Sequence, residues 1–155
     1  MSPSATGPGL PQFFADGGPG LVVTDVDSTL IEQEVIELIA ERAGTRKLVA
    51  EVTARAMRGE LDFSASLRER VATLAGVPQG VFAEVLAEVR PTQGAAELIE
   101  ALHARGCRVG VVSGGFEEVV VPLAERLGID HVAANRLEVE EGRLTVDLTG
   151  TRYPH

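Results

Sequence analysis

The chain has 155 residues, 45% of them hydrophobic, which is enough to bury one core and too few for two independent domains. Fourteen Lys and Arg against 23 Asp and Glu leave a formal charge of -9, which argues against the basic footprint of a nucleic-acid binder and requires a metal or local cations for any anionic substrate. A single cysteine, Cys107, excludes a disulfide framework and a Cys-ligated zinc site, and fits a reducing compartment.

Residues 1–19 are rich in Gly, Pro and Ser and lack periodicity, so a flexible leader is expected there. No Lys or Arg precedes Arg42, which leaves no basic region of a secretory signal, and no apolar run is long enough to span a bilayer. A cytoplasmic protein without membrane contact is the expectation. Leu21 to Asp25 is a short apolar run without alternation, as in a strand of a parallel sheet covered on both faces, and it places Asp25 and Asp27 at its C-terminal end. Ligands bind at that end in open α/β sheets.

From Ile31 to about Val89 the periodicity is helical. Val35, Leu38 and Ile39 mark a first helix ending near Gly44. Thr45 is placed to cap a second with Leu48, Val49, Val52 and Ala56, and Asp62 to cap a third with Phe63, Leu67, Val71 and Leu74. A fourth carries Val81, Phe82, Val85, Leu86 and Val89, and Arg90-Pro91-Thr92 breaks the run. Four helices without a strand among them read as an inserted bundle over residues 31–90, able to cap the acids. Residues 20–30 and 91–155 would then form the α/β core.

In that core, residues 94–105 form an amphipathic helix stopped by Gly106, and Cys107 to Val112 a second buried strand ending in Ser113-Gly114-Gly115. A helix with Val119, Val120, Leu123 and Leu127 follows, ended by Gly128 and either beginning just before Pro122 or kinked by it. His131 to Ala134 is a third strand, and Leu137 to Val146 alternates about Gly142 as a hairpin. Strand, helix, strand, helix, strand implies a right-handed, doubly wound Rossmann-like sheet.

On residues alone, the Asp25-x-Asp27 pair reads either as a catalytic pair or as an acidic loop capping a helix through Ser28 and Thr29. Ser113 reads either as a helix cap or as a phosphate ligand, because both uses share one geometry. The missing GxSxG and the poorly placed histidines exclude a serine hydrolase.

The run DVDSTLIEQE resembles the first motif of the haloacid dehalogenase superfamily. AMRGELDF at 56–63, SLRERV at 66–71, VVSGGF at 111–116 and AANRLEVEEGRLT at 133–145 resemble, in order, its phosphoserine phosphatase family. The resemblance implies that Asp25 is a nucleophile forming a phosphoaspartate and Asp27 its acid/base partner. It implies Mg²⁺ held by the Asp25 carboxylate and the Asp27 carbonyl, and L-phosphoserine as the small-molecule substrate. Glu34 would receive the substrate ammonium, Arg70 its carboxylate, and Ser113 and Gly114 its phosphate; Met57 and Phe63 would form an apolar wall.

Two parts of the resembled pattern are not in the sequence: a lysine bridging nucleophile and phosphate, and a GDGxND-type metal loop. Lys47 is the sole lysine and falls in the helical insert. The expectation is therefore a haloacid-dehalogenase-type sheet lacking its last strands, with Leu21 to Asp25 as an exposed edge open to self-association. The alternatives that follow are a non-catalytic remnant binding phosphorylated ligands or a partner chain, and a phosphatase for another small phosphomonoester.

Overall fold

A computed structural model describes residues 20–150; the expected leader and residues 151–155 lie outside the described residues. The order of elements is β1 (Leu21–Thr24), α1 (Val35–Ala43), α2 (Arg46–Met57), α3 (Phe63–Ala72), α4 (Val81–Glu88), α5 (Ala95–Ala104), β2 (Arg108–Phe116), α6 (Glu117–Leu127), β3 (His131–Glu140) and β4 (Arg143–Gly150). The strands form one sheet in the order β1-β2-β3-β4. β1, β2 and β3 are parallel and β4 is antiparallel to β3.

Because β1, β2 and β3 advance in one direction, crossovers of the usual right-handed kind put α5 and α6 on the same face. Burial follows this layering. Val109, Val111 and Ala134 are inside, whereas Leu21, Val23 and Val112, on the other face, are 50%, 52% and 38% exposed.

The helix stops expected from glycine are present: Gly44, Gly106 and Gly128 follow α1, α5 and α6 with φ of 73°, 77° and 73°. Asp62 caps α3, its Oδ1 accepting from Ala65 N at 2.7 Å. Thr45 makes no such bond, and its hydroxyl is buried without a partner. Pro122 lies inside α6, which runs through it from Glu117 rather than starting beside it.

Two expectations are corrected. β2 does not end at Val112 but continues to Phe116, with a register shift against β3 that places Ser113, Gly114 and Gly115 in an irregular strand end; α6 begins only at Glu117. The third strand and the first arm of the hairpin are one strand, β3, which pairs with β2 along its first half and with β4 along its second. The turn to β4 uses positive φ at Glu141 (50°) and Gly142 (75°), the twist a two-residue hairpin needs.

The helical insert is tied to the sheet at two places. Its two connections are bonded to each other, Thr92 N to Leu30 O at 2.8 Å and Glu32 N to Arg90 O at 3.0 Å. At the other end, Gly76 N donates to Leu144 O and Leu144 N to Val77 O, each at 2.8 Å, and Arg143 Nη1 donates to Gly76 O at 2.8 Å. One apolar cluster runs through both parts, joining Val35, Ile39, Val71 and Val85 to Val109, Phe116 and Val120. No helix among the described residues is long and apolar enough to cross a membrane.

Candidate active site

β1 leads into Asp25 and Asp27 at the C-terminal edge of the sheet, where the chain turns away toward α1. The turn is tight. Val26, fully buried, accepts at its carbonyl from Thr29, Leu30 and Ile31, and Ser28 takes a positive φ of 53° to complete it. Asp25 is exposed and its Oδ1 accepts from Val26 N at 2.7 Å. Asp27 is half-buried and its Oδ1 accepts from Val35 N, the first amide of α1, at 3.0 Å. The neighbouring acids thus occupy different environments. Burial, helped by the charges of Glu34 and Asp25 and opposed by the Val35 N–H and Arg70, lifts the Asp27 carboxyl to about 6.

A cavity of about 190 Å³ opens over these acids, lined by Asp25, Asp27, Glu34, Phe63, Arg70 and Gly114, with Ile36, Leu67, Gly115 and Phe116 completing it. Six of the eight residues expected at a site therefore meet in one place. Glu34 precedes α1 and takes a 3.4 Å bond from the Ser28 hydroxyl; Arg70 reaches in from the last turn of α3, its Nε donating to Ser66 O at 3.3 Å.

The other two stand elsewhere. Ser113 is buried beneath the cavity rather than lining it, and its Oγ accepts the Gly115 N–H at 2.9 Å. That bond leaves the Ser113 hydroxyl its own proton to donate. Met57, at the end of α2, is 86% exposed and does not line the cavity.

Residues not singled out in the sequence also shape the site. Asn135 Nδ2 donates to Gly114 O at 3.0 Å, which holds the irregular end of β2; its only signal was membership of the AANRL run. Ile36 and Leu67 supply apolar wall; Leu67 was visible merely as a helix-face residue and Ile36 was not singled out.

Among the lining residues three carboxylates face one cation, Arg70. A phosphate dianion would be repelled there without further positive charge. The donors along the cavity are oxygen only, the carboxylates of Asp25, Asp27 and Glu34, and no group of three His, Cys, Asp or Glu able to hold a metal occurs among the described residues. Such a set suits Mg²⁺, which uses one or two carboxylates and keeps several waters, and suits Zn²⁺ poorly.

The family model described as haloacid dehalogenase-like hydrolase matches residues 22–154. The chain belongs to this family. It is 57% identical over 132 residues to the phosphoserine phosphatase of Lactococcus lactis subsp. lactis, covering 85% of this chain and 61% of that protein. Among solved structures, a phospho-aspartyl intermediate analogue of phosphoserine phosphatase superposes with a TM-score of 0.79 at 44% identity, and a substrate-bound phosphoserine phosphatase complex with 0.79 at 43%. Each comparison covers 84% of this chain, and 63% and 62% of those chains. The chain thus spans about three fifths of the length of these relatives. Within the family, the β1 carboxylates at the cavity floor are the candidate chemistry.

Proposed function

We propose that this site hydrolyses L-phosphoserine to L-serine and phosphate through a phosphoaspartate on Asp25. The observation that carries the proposal is the meeting of Asp25, Asp27, Glu34 and Arg70 around one cavity, two acids for the chemistry and one charge of each sign for an amino acid. The relatives support it, one of them named as a phospho-aspartyl analogue and another as substrate-bound.

In this reading Asp25 Oδ1 is held by Val26 N, and Oδ2 attacks phosphorus. The phosphorus–seryl oxygen bond breaks as a proton from Asp27 Oδ2 passes to the leaving oxygen; Asp27 Oδ1 is occupied by the Val35 N–H. Asp27 then takes a proton from water, which attacks the phosphoaspartate, releases phosphate and frees Asp25. Burial of Asp27 supports this division of labour, since it favours the protonated form needed first.

The Ser113 hydroxyl, aligned by its bond from Gly115, and the Gly114 N–H would receive phosphate oxygens. Glu34 would bind the ammonium and Arg70 the carboxylate, the latter as a planar bidentate donor. Residues 31–90 would act as the cap, with Phe63 as its apolar wall over the cavity; Met57 would join the wall only on closure. The Asp25 carboxylate and the Asp27 carbonyl would hold Mg²⁺, which when bound would supply positive charge to offset the repulsion of phosphate by the acids. A cytoplasmic place at the last step of serine biosynthesis belongs to the same proposal.

The shortage of lining cations favours one second reading, binding of phosphorylated amino acids without turnover. Phosphate release from L-phosphoserine with Mg²⁺, with Asp25→Asn as the blank, decides between them. Release abolished by the substitution supports the phosphatase; saturable binding without release supports the second reading.

A further inference from the structure

Gly114 and Phe63 meet across the cavity mouth, one from β2 and the other from the first residue of α3. A Cβ on Gly114 would lie 2.8 Å from Phe63 Cζ, 3.5 Å from Cε2 and 3.8 Å from Cε1. Side-chain atoms do not approach to 2.8 Å, so a ring in this position and any side chain at 114 exclude each other. The backbone of Gly114 is not in the left-handed region, so its conformation does not require glycine. What requires it is the room taken by the ring.

Phe63 is 64% exposed, so general burial does not hold its ring in place. Elsewhere the insert is anchored, by the paired connections at Leu30 and Thr92 and by the hairpin at Gly76 and Val77. The turn between α2 and α3, from Met57 to Phe63, lies away from both anchors. Within the insert it is held by Arg55, which pairs with Glu60 and Glu69, and toward the sheet Phe63 lies against Gly114.

We infer that Gly114 is a positioning residue acting through Phe63: its bare Cα is the seat on which the ring closes, and the seat sets the height of the cavity and so the bulk of the phosphomonoester admitted. The clause about bulk rests on the proposed phosphatase activity. The seat itself does not. A methyl at 114 should lift the ring and free the Met57–Phe63 turn, and shortening the ring should make that methyl harmless.

The test is amide hydrogen exchange on the full chain without substrate, comparing the wild type with Gly114→Ala, Phe63→Leu and the double variant. Leu lacks the three ring atoms that crowd position 114. In Gly114→Ala, amides over 57–66 should exchange about tenfold faster, while in the Phe63→Leu background the same substitution should change them by less than about twofold. Unchanged exchange in Gly114→Ala, or an equal increase in both backgrounds, overturns the inference. Should Gly114→Ala also loosen β2 and β3, Phe63→Trp decides, since it crowds an intact Gly114 from the other side. Faster exchange confined to 57–66 supports the seat, and no acceleration rejects it. If the phosphatase activity is present, preference for L-phosphoserine over L-phosphothreonine should fall in Gly114→Ala, and the same substitution should change it little in the Phe63→Leu background. Absence of turnover would reject the phosphatase reading and leave the exchange result intact.

Discussion

Asp27 accepts the backbone N–H of Val35 at 3.0 Å, so the second acid of the β1 pair also caps the helix that begins the insert. Chemistry and architecture are joined in that bond. The helix terminus favours a carboxylate, while burial acts against the charge and prevails, which is why Asp27 is lifted to about 6.

Asp27→Asn and Asp27→Ala should therefore differ in stability while sharing a loss of activity. Asparagine keeps the acceptor for Val35 N and removes a carboxylate that burial disfavours, so at neutral pH it should unfold in urea at or above the wild-type midpoint. Alanine leaves the amide uncapped and should cost about 1 kcal/mol. Equal destabilisation by the two would show that the bond does not secure α1.

Arg70→Lys should behave almost as badly as Arg70→Ala in binding L-phosphoserine. Arg70 is already oriented by its Nε bond to Ser66 O, leaving the far edge of its guanidinium to meet a carboxylate. Lysine presents one point charge without that fork. Loss of a charge-assisted bond corresponds to about 1.5–3 kcal/mol, or about 10- to 150-fold in Kd measured by calorimetry. Lysine binding within threefold of wild type would remove Arg70 from the carboxylate subsite.

Much of this arrangement was legible from residue order. Glycines after apolar helical stretches marked real stops at Gly44, Gly106 and Gly128, and the apolar run before Asp25 marked β1. What was hidden depends on partners distant in the chain. Ser113 to Gly115 looked like a loop opening a helix, yet they extend β2, with Asn135 on β3 holding the Gly114 carbonyl. Thr45 has the composition of a cap but makes no capping bond. The approach of Phe63 to Gly114 has no signature in either residue's neighbourhood.

Glu118 gives a pH-dependent test away from the cavity. Its Oε1 accepts from Leu137 N at 3.1 Å, its Oε2 is buried without a partner, and burial raises its carboxyl above the ordinary value of 4.5 despite that bond and Arg136. A raised pKa in the fold means that the native state holds the proton while the unfolded chain releases it. Stability from this group is full below about pH 4.5 and declines as pH rises through the higher folded value. Glu118→Gln should thus gain on the wild type as pH rises from 4 to 7. The gain should be about 1 kcal/mol or less, because solvent screens a half-exposed group. A difference in Tm independent of pH would refute it.

Arg143→Ala should loosen the far end of the insert without touching the acids. Arg143 donates to Gly76 O beside the two backbone bonds between Leu144 and the α3–α4 connection. Its loss should cost about 1 kcal/mol and speed amide exchange at residues 74–80 more than at Val35 to Ala43. Uniform acceleration would mean that the hairpin contributes to the whole fold rather than to a local tether.

The edge of the sheet leads to the last prediction. Among the described residues β1 pairs with β2 alone, and on the sheet face away from the core it carries Leu21 and Val23, each about half exposed. An apolar edge strand with unpaired backbone groups templates association with another chain, and parallel strands are ordinarily covered on both faces. Val23 is the position to change, because it lies mid-strand, is exposed, and is paired with Gly110, which has no side chain to disturb. Val23→Lys can extend its stem over that patch and hold its charge in water. The 155-residue chain should sediment as associated species at micromolar concentrations and Val23→Lys should shift it toward monomer, with little change in Tm. Identical sedimentation of the two proteins would show that something other than the β1 edge governs association.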